Sequence, residues 1–448
     1  MPFPNWNERI LSECYNANAH AQIMEGTVVY IRNNYEALSF NFGPTLLSWL
    51  QNHGKSAYRA IRRADELGRQ RRGGDGNAVA QGYSHSILPL LDARGRELQI
   101  AWGINDFIAR FGRQPGGMWL PECGADSETL AAIARAGIEF VILGGDQGRF
   151  SRPGCDSGPF LWQRDELKLM VLRFDRSISA GIAFTDMLRD GAGLARRLTD
   201  GALALDPGQA LLVAADGETF GHHKRAGAAE LARAIKLLEA QDEVILTNCT
   251  GFLATHPPAG IFEIDSPTAW SCAHGVERWR SNCGCRMEPG TGQEWRGPLR
   301  SAMDFVRIHC DAIYDRFAPP LVADSWAALK EAALLFVDSS PALQEEFFTR
   351  HRAGDEAARQ QLLRLFELER AAHAASTSCA WFFDDFAGLE GRVALRWAAR
   401  ATELAAELAP SIEPEVLRQL HEVRSNRHEG DAASLYLSIK TREARGRV

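Results

Sequence analysis

Two acidic motifs hold the residues best suited to chemistry. The first is Gly117-Met-Trp-Leu-Pro-Glu122-Cys-Gly-Ala-Asp126. Met118, Trp119 and Leu120 read as the end of a buried strand, and Pro121 stops the ladder because it has no N–H to donate. Glu122 is left where the chain turns out of the core. The second motif, Asp216-Gly-Glu218-Thr-Phe-Gly-His222-His223, follows the apolar run Gln209-Ala-Leu-Leu-Val-Ala-Ala215. Two carboxyls on either side of a sugar suit glycosidic bond chemistry: one attacks the anomeric carbon, while the other donates and then removes a proton. A separation of about 5–5.5 Å gives retention and a wider gap inversion. His85, and Arg173 with Asp175, stand at further strand exits. Taken singly, such an acid serves as a cap or ion pair as readily as a catalyst.

The elements that must position these groups follow from periodicity. Asp126 or Ser127 can cap a helix whose inner face carries Leu130, Ile133 and Ala134. Gly137 closes it, and Ile138-Glu-Phe-Val-Ile-Leu143 returns as a buried strand. This strand–loop–helix–strand unit is the repeating piece of a parallel α/β fold, whose chemistry sits at the carboxyl ends of strands. Residues 27–31 read as a strand or a helix end, and 38–42, 78–90, 169–175, 209–215 and 243–247 read as strands. Helices are expected from 45 and over 94–111, 185–200 and 226–240, with a Ser- and Gly-rich loop after 175. The basic run Arg62 to Arg72, ending in Gly73-Gly-Asp-Gly76, lacks phosphate-loop spacing and reads as a solvated helix end and loop. Beyond about 295 only helical periods remain: 298–316, 322–338, 341–351, 355–375, 388–409, 413–424 and 431–443, with breaks at Pro410 and Pro414. The expected organisation is α/β: an incomplete (β/α)7-type barrel over 1–265, a loop segment over 266–297 and a helical domain over 298–448.

The 448 residues carry a formal charge of −7, which offers no basic footprint for nucleic acid. No apolar run is long enough to span a bilayer, and the first residues carry no apolar leader segment. Nine cysteines without a repeating spacing fit reduced thiols and a cytoplasmic location.

A third constellation is Trp270-Ser-Cys272-Ala-His274-Gly-Val-Glu-Arg278-Trp279-Arg-Ser-Asn-Cys283-Gly-Cys285. Trp270 and Trp279 suit stacking on sugar faces, with His274 and Arg278 reaching hydroxyls. Cys272, His274, Cys283 and Cys285 also offer four zinc ligands, but the spacing is not that of a standard finger. The site is read without a metal or other cofactor. His222 and His223, being neighbours, diverge and read as polar lining. Cys379-Ala-Trp381-Phe-Phe-Asp384-Asp385-Phe386 reads as an aromatic wedge packed in a core.

The two carboxyl motifs, in this order, resemble the nucleophile and acid/base motifs of glycoside hydrolase family 57. Gln81-Gly-Tyr-Ser-His85-Ser-Ile-Leu-Pro-Leu90 is similar to that family's second conserved region, in the form seen in branching enzymes. The resemblance implies an incomplete (β/α)7 barrel, α-glucan substrates and a retaining double displacement without a metal. By motif, Glu122 becomes the nucleophile and Asp216 the acid/base, with His85 beside the scissile bond. Trp119, Glu218, His222, Trp270, His274, Arg278 and Trp279 become substrate-binding candidates. The family's opening His-x-Pro-like motif has no counterpart before Trp6: either the start of the chain is missing, or a barrel strand has been lost. Two other readings compete: a non-catalytic glycan-binding protein descended from a barrel, and a metal-dependent polysaccharide deacetylase. The lack of a His-x3-His ligand pair argues against the second.

Overall fold

A computed structural model describes residues 3–72, 76–151, 158–264, 267–427 and 430–446. The expectation for Gly73 to Asp75 lies outside the described residues. The chain divides into two compact units, each drawn from several stretches: Met1–Ala80, Arg110–Trp119 and Ile133–Asp265 in one, Gln81–Ala109, Leu120–Ala132 and Ser266–Val448 in the other.

The first unit contains a hairpin, β1 (Ala21–Glu25) against β2 (Val28–Arg32), so the 27–31 run is a strand. The remaining strands are β3 (Ala80–Gln81), β4 (Gly117–Trp119), β5 (Phe140–Gly144), β6 (Gly148–Phe150), β7 (Pro159–Arg164), β8 (Leu167–Phe174) and β9 (Gly260–Ile264). They form one sheet in the order β3-β4-β5-β8-β7-β9-β6. β4, β5 and β8 run parallel, as do β7 and β9, while β7–β8 and β6–β9 are antiparallel. β5 is buried along its whole length, as a strand covered on both faces must be. Gly117 is obligatory at the start of β4, since a Cβ there would lie 2.2 Å from the ring of Phe140.

Several expectations fail here, among them the strand at 38–42, which keeps only the isolated Phe40–Ala78 bridge. Residues 209–215 and 243–247 enter no ladder, although Leu211, Val213, Val244 and Leu246 pack half-buried against the helices Gly191–Leu203 and Gly227–Glu239. Among the bonds that hold the backbone of the first of these stretches, Leu212 O accepts from Asp175 N–H at 2.7 Å, and Ala214 N–H donates to Ser179 Oγ at 3.0 Å. Apolar composition secured the burial but not the pairing. The loop after 175 is instead a helix, Arg176–Phe184: Asp175 caps it by accepting from Ile178 N–H at 2.7 Å, and Ile178 and Ile182 are buried. Pro414 does not break a helix but sits in the first turn of Ile412–Leu420, where its missing N–H has no intrahelical partner to lose.

The second unit is helical around Arg296–Phe317, Glu356–Ala374 and Leu389–Ala405. Its core buries Trp102, Trp279 and Trp381 completely, together with Tyr314 and Tyr436. Trp381 donates from Nε1 to the carbonyl of Arg296 at 3.1 Å. Asp384 and Asp385 tie loops instead, accepting from the backbone N–H groups of Met287, Glu288 and Asn426. No helix among the described residues is long and apolar enough to cross a membrane.

A charged network is buried in this helical core. His373 Nε2 lies 3.3 Å from Asp311 Oδ1 and 3.5 Å from Glu369 Oε2. Arg307 reaches Asp311 at 3.0 Å and Asp92 at 2.9 Å, and Arg94 lies 3.5 Å from Glu369. Burial, and then the charge of Asp311, raise the Glu369 carboxyl to about 7. Burial opposes the His373 cation, but its hydrogen bonds to Asp311 and Glu369 outweigh that and raise it to about 9. Burial also opposes the Asp311 anion, yet His373 and Arg307 bring it down to about 2. Groups whose folded pKa is raised give stability that is complete below the unfolded value and lost as pH climbs through the folded one. Glu369 therefore loses its contribution between 4.5 and about 7, and His373 between 6.5 and about 9. Asp311 contributes above 3.8 and loses its share as pH falls toward about 2. The thermal midpoint is expected to fall from about pH 5 to about pH 9, with Glu369→Gln flattening the lower part of that fall. A wild-type midpoint that rises across this range would contradict the network.

Candidate active site

Leaving β4, the chain turns through a single 3-10 turn at Pro121–Cys123, with Cys123 N–H donating to Leu120 O at 2.8 Å. Glu122 takes φ 57 and ψ 21, the left-handed region, and Cys123 follows with φ 50. Such angles cost a non-glycine residue about 1–2 kcal/mol and persist where surrounding bonds over-determine them. Those bonds come from a facing segment. Ala125 and Thr268 exchange both backbone hydrogen bonds at 2.9 Å, and Trp270 N–H donates to Glu122 O at 3.0 Å. This short ladder lays two side-chain donors on the carboxylate: Trp270 Nε1 at 3.0 Å and Ser271 Oγ at 2.7 Å, both on Oε2. Asp126 then caps the next helix, accepting from Thr129 N–H at 2.7 Å.

His85 belongs to the same unit and shares the left-handed backbone, with φ 55. Its Nδ1 lies 2.7 Å from the hydroxyl of the fully buried Ser378, whose N–H donates to His85 O at 2.9 Å. Among the five described non-glycine residues with positive φ, three are His85, Glu122 and Cys123. Backbone strain is thus concentrated at the two strand exits singled out by chemistry.

The 270–285 segment divides its candidates. Trp270 reaches Glu122, but Trp279 is fully buried in the helical core and has no face to offer a sugar. Arg278 is also buried, its guanidinium 4.1 Å from the centre of the Phe382 ring and donating to Ser271 O at 2.9 Å. It braces the backbone of the segment. His274 Nδ1 stands 3.6 Å from Cys285 Sγ, within a thiol cluster. Packing alone separates these roles, and the residue types do not.

In the other unit, Trp119 ends β4 half-buried, and the Asp216 loop is moored to the N-terminal helix. That helix contains a π-turn at Leu11–Tyr15, a widened turn that recurs at functional sites. Its residues face the loop. Tyr15 donates its hydroxyl to Glu218 Oε1 at 2.6 Å, Cys14 Sγ approaches Gly217 O at 3.1 Å, and Glu13 Oε2 lies 2.6 Å from His222 Nδ1. Burial and the Glu218 charge push the Tyr15 phenol well above its ordinary range, so it stays a donor. Gly221, at φ 136, passes so close to Glu13 O that a Cβ would lie 2.0 Å from it. Asp216 is exposed at the head of the 3-10 turn Gly217–Thr219, and its carbonyl accepts from Thr219 N–H at 3.0 Å. Glu13, Tyr15, Ser271 and Ser378 escaped sequence reasoning because ordinary helix and loop residues carry no local mark of a distant partner.

Two groups among the described residues bring three or more metal-type ligands together: Cys272, His274, Cys283 and Cys285, and the buried Asp311, Glu369 and His373. In the second, Arg94 and Arg307 already supply the positive charge.

The strain at Glu122 is directly measurable. Glu122→Gly and Glu122→Ala both remove the carboxylate, but only glycine adopts φ 57 without a Cβ penalty. The glycine variant is expected to be more stable by about 1 kcal/mol in chemical denaturation. Equal stability, or a more stable alanine variant, would contradict the left-handed turn.

Comparisons with known proteins agree with this architecture. An exo-type maltose-forming amylase from Pyrococcus sp. ST04 superposes with a TM-score of 0.71 at 16% identity, covering 97% of this chain and 80% of that one. A branching enzyme from Thermococcus kodakaraensis gives 0.56 at 14% identity, covering 98% and 90%. These likenesses establish the fold. Alpha-amylase 1 of Dictyoglomus thermophilum is 26% identical over 189 residues, 41% of this chain. The match spans about a quarter of that amylase's length, 26%. A model for a domain of unknown function, DUF3536, matches residues 292–443. The model for glycosyl hydrolase family 57 matches residues 6–265, a stretch that takes in both the Glu122 and the Asp216 motifs. The chain belongs to glycosyl hydrolase family 57.

Proposed function

We propose that this chain is a retaining enzyme acting on α-1,4-glucans, with Glu122 as nucleophile and Asp216 as general acid/base. The observation that carries the reading is the Glu122 turn: a carboxylate on strained backbone, oriented by Trp270 and Ser271 through one of its oxygens. A structural cap needs neither. The relatives, amylases and a branching enzyme, support the substrate class. In the proposed reaction, Glu122 attacks the anomeric carbon as Asp216 protonates the departing glycosidic oxygen. A covalent glycosyl-enzyme forms, and Asp216 then takes the proton from an acceptor that displaces Glu122. Water as acceptor gives hydrolysis, and a sugar hydroxyl gives transfer. Within one unit Tyr15 holds Glu218 and Glu13 holds His222, and within the other Ser378 holds His85; this reading assigns the three held side chains to substrate binding.

The test is product analysis on maltoheptaose and amylose by anion-exchange chromatography. Wild type is expected to yield shorter oligosaccharides if a hydrolase, and both shorter and longer ones if a transferase. Glu122→Gln should abolish both, and Asp216→Asn should slow turnover by about 10²–10⁴-fold. Sugar binding by wild type and Glu122→Gln alike, without turnover by either, would favour the glycan-binding reading. Ser271→Ala is expected to reduce kcat by about tenfold or more, the worth of a hydrogen bond to a charged group. An unchanged kcat would detach Ser271 from the nucleophile's alignment.

A further inference from the structure

We infer that Cys272, His274, Cys283 and Cys285 form a structural zinc site that clamps the segment carrying Trp270 and Ser271. The ligand atoms of these four residues all lie within 4.8 Å of one another. Cys272 Sγ stands 4.0 Å from Cys283 Sγ and 3.8 Å from Cys285 Sγ, and Cys285 Sγ is 3.6 Å from His274 Nδ1. A tetrahedral zinc ion with Zn–S of about 2.3 Å and Zn–N of about 2.05 Å sets its sulfurs about 3.8 Å apart and a sulfur and nitrogen about 3.6 Å apart. These three edges therefore lie close to those of a zinc tetrahedron, and the remaining ones stay within 4.8 Å.

The alternative chemistry is a disulfide, and it fits poorly. A disulfide holds its two sulfurs at about 2.05 Å and would leave the third thiol unused. Here Cys272 stands close to two sulfurs at nearly equal distances, the pattern of a shared centre. Thiolate and imidazole donors in a tetrahedron select zinc among common divalent ions. With four protein donors no position remains for water, so the site is structural and not hydrolytic. Three thiolates, one imidazole and Zn²⁺ sum to a charge of −1. The fully buried Arg296 answers that charge, donating to the Cys285 carbonyl at 2.7 Å.

The fold builds the site from two turns. Gly275, at φ 76, follows His274 with its Cα so close to Pro267 O that a Cβ would lie 2.4 Å away. Gly284, at φ 82, lets Cys283 and Cys285 face one centre across a tight reversal. Cys272 is the next residue after Ser271, so the ion would fix the end of the strip whose other end pairs with Ala125. The histidine expected to touch sugar is reassigned to the metal.

The test is metal analysis of the purified full chain after incubation with zinc and exhaustive dialysis. About one zinc per chain is expected, falling below about 0.1 in a Cys283→Ser, Cys285→Ser double variant. Because that variant could fail to fold, wild type is also titrated with a thiol-specific mercurial in the presence of a zinc indicator dye. Zinc release in step with the modification of three thiols supports the site. Replacement by Co²⁺ should give intense thiolate charge-transfer absorption, with visible d–d bands that shift in His274→Ala. Wild-type chain without stoichiometric zinc, with freely reactive thiols or an intramolecular disulfide, overturns the inference. None of these readouts depends on turnover, so the proposed reaction and the metal site can fail separately.

Discussion

The short antiparallel contact between residues 122–125 and 268–271 is what the rest of the structure serves. A strand that ends in Pro121 cannot continue its ladder, so Glu122 needs another source of order. The facing strip supplies it, through the Ala125–Thr268 pair and the bond from Trp270 N–H to Glu122 O. That backbone pairing holds the left-handed turn in place, and the turn in turn presents the carboxylate to Trp270 Nε1 and Ser271 Oγ. The local cost of about 1–2 kcal/mol is offset by several bonds that exist only in this conformation. Everything downstream in the segment works to keep the strip still: Arg278 on the carbonyl of Ser271, Trp279 sunk in the helical core, and the thiol cluster beginning at Cys272.

The Asp216 loop is moored by a different device. Its half-buried approach segment has little regular pairing of its own, so its anchorage comes from the N-terminal helix. The π-turn brings Glu13, Cys14 and Tyr15 successively to face the loop, which a regular helix would spread around its axis. Gly221 makes the approach possible by having no Cβ. In both units, then, an ordinary-looking stretch far away in sequence holds the residue that matters.

Much of this was legible in the sequence where a residue's own covalent chemistry dictates structure. Pro121 announces the strand end, the run Ile138–Leu143 announces β5, and the C-terminal periodicity announces helices over nearly their observed spans. What stayed hidden depends on packing between distant segments. Val213 and Leu246 look like strand residues because hydropathy reports burial, and burial against helices satisfies it without a ladder. Trp270 and Trp279 sit in one polar-looking loop, yet one donates to Glu122 and the other fills the core. The positive φ of His85 and Glu122 has no compositional sign, since neither residue is glycine or asparagine. Cys272, His274, Cys283 and Cys285 were visible as ligand types, but their convergence is a property of the folded turns.

The central claim is the division of labour between Glu122 and Asp216, and azide rescue on an activated α-maltosyl fluoride tests it most directly. In Glu122→Gly, azide would take the nucleophile's place and produce the β-glycosyl azide. In Asp216→Ala, azide would instead discharge the glycosyl-enzyme and produce the α-glycosyl azide. The account predicts that pair of opposite configurations. The same configuration from both variants, or rescue with the two assignments exchanged, would contradict it.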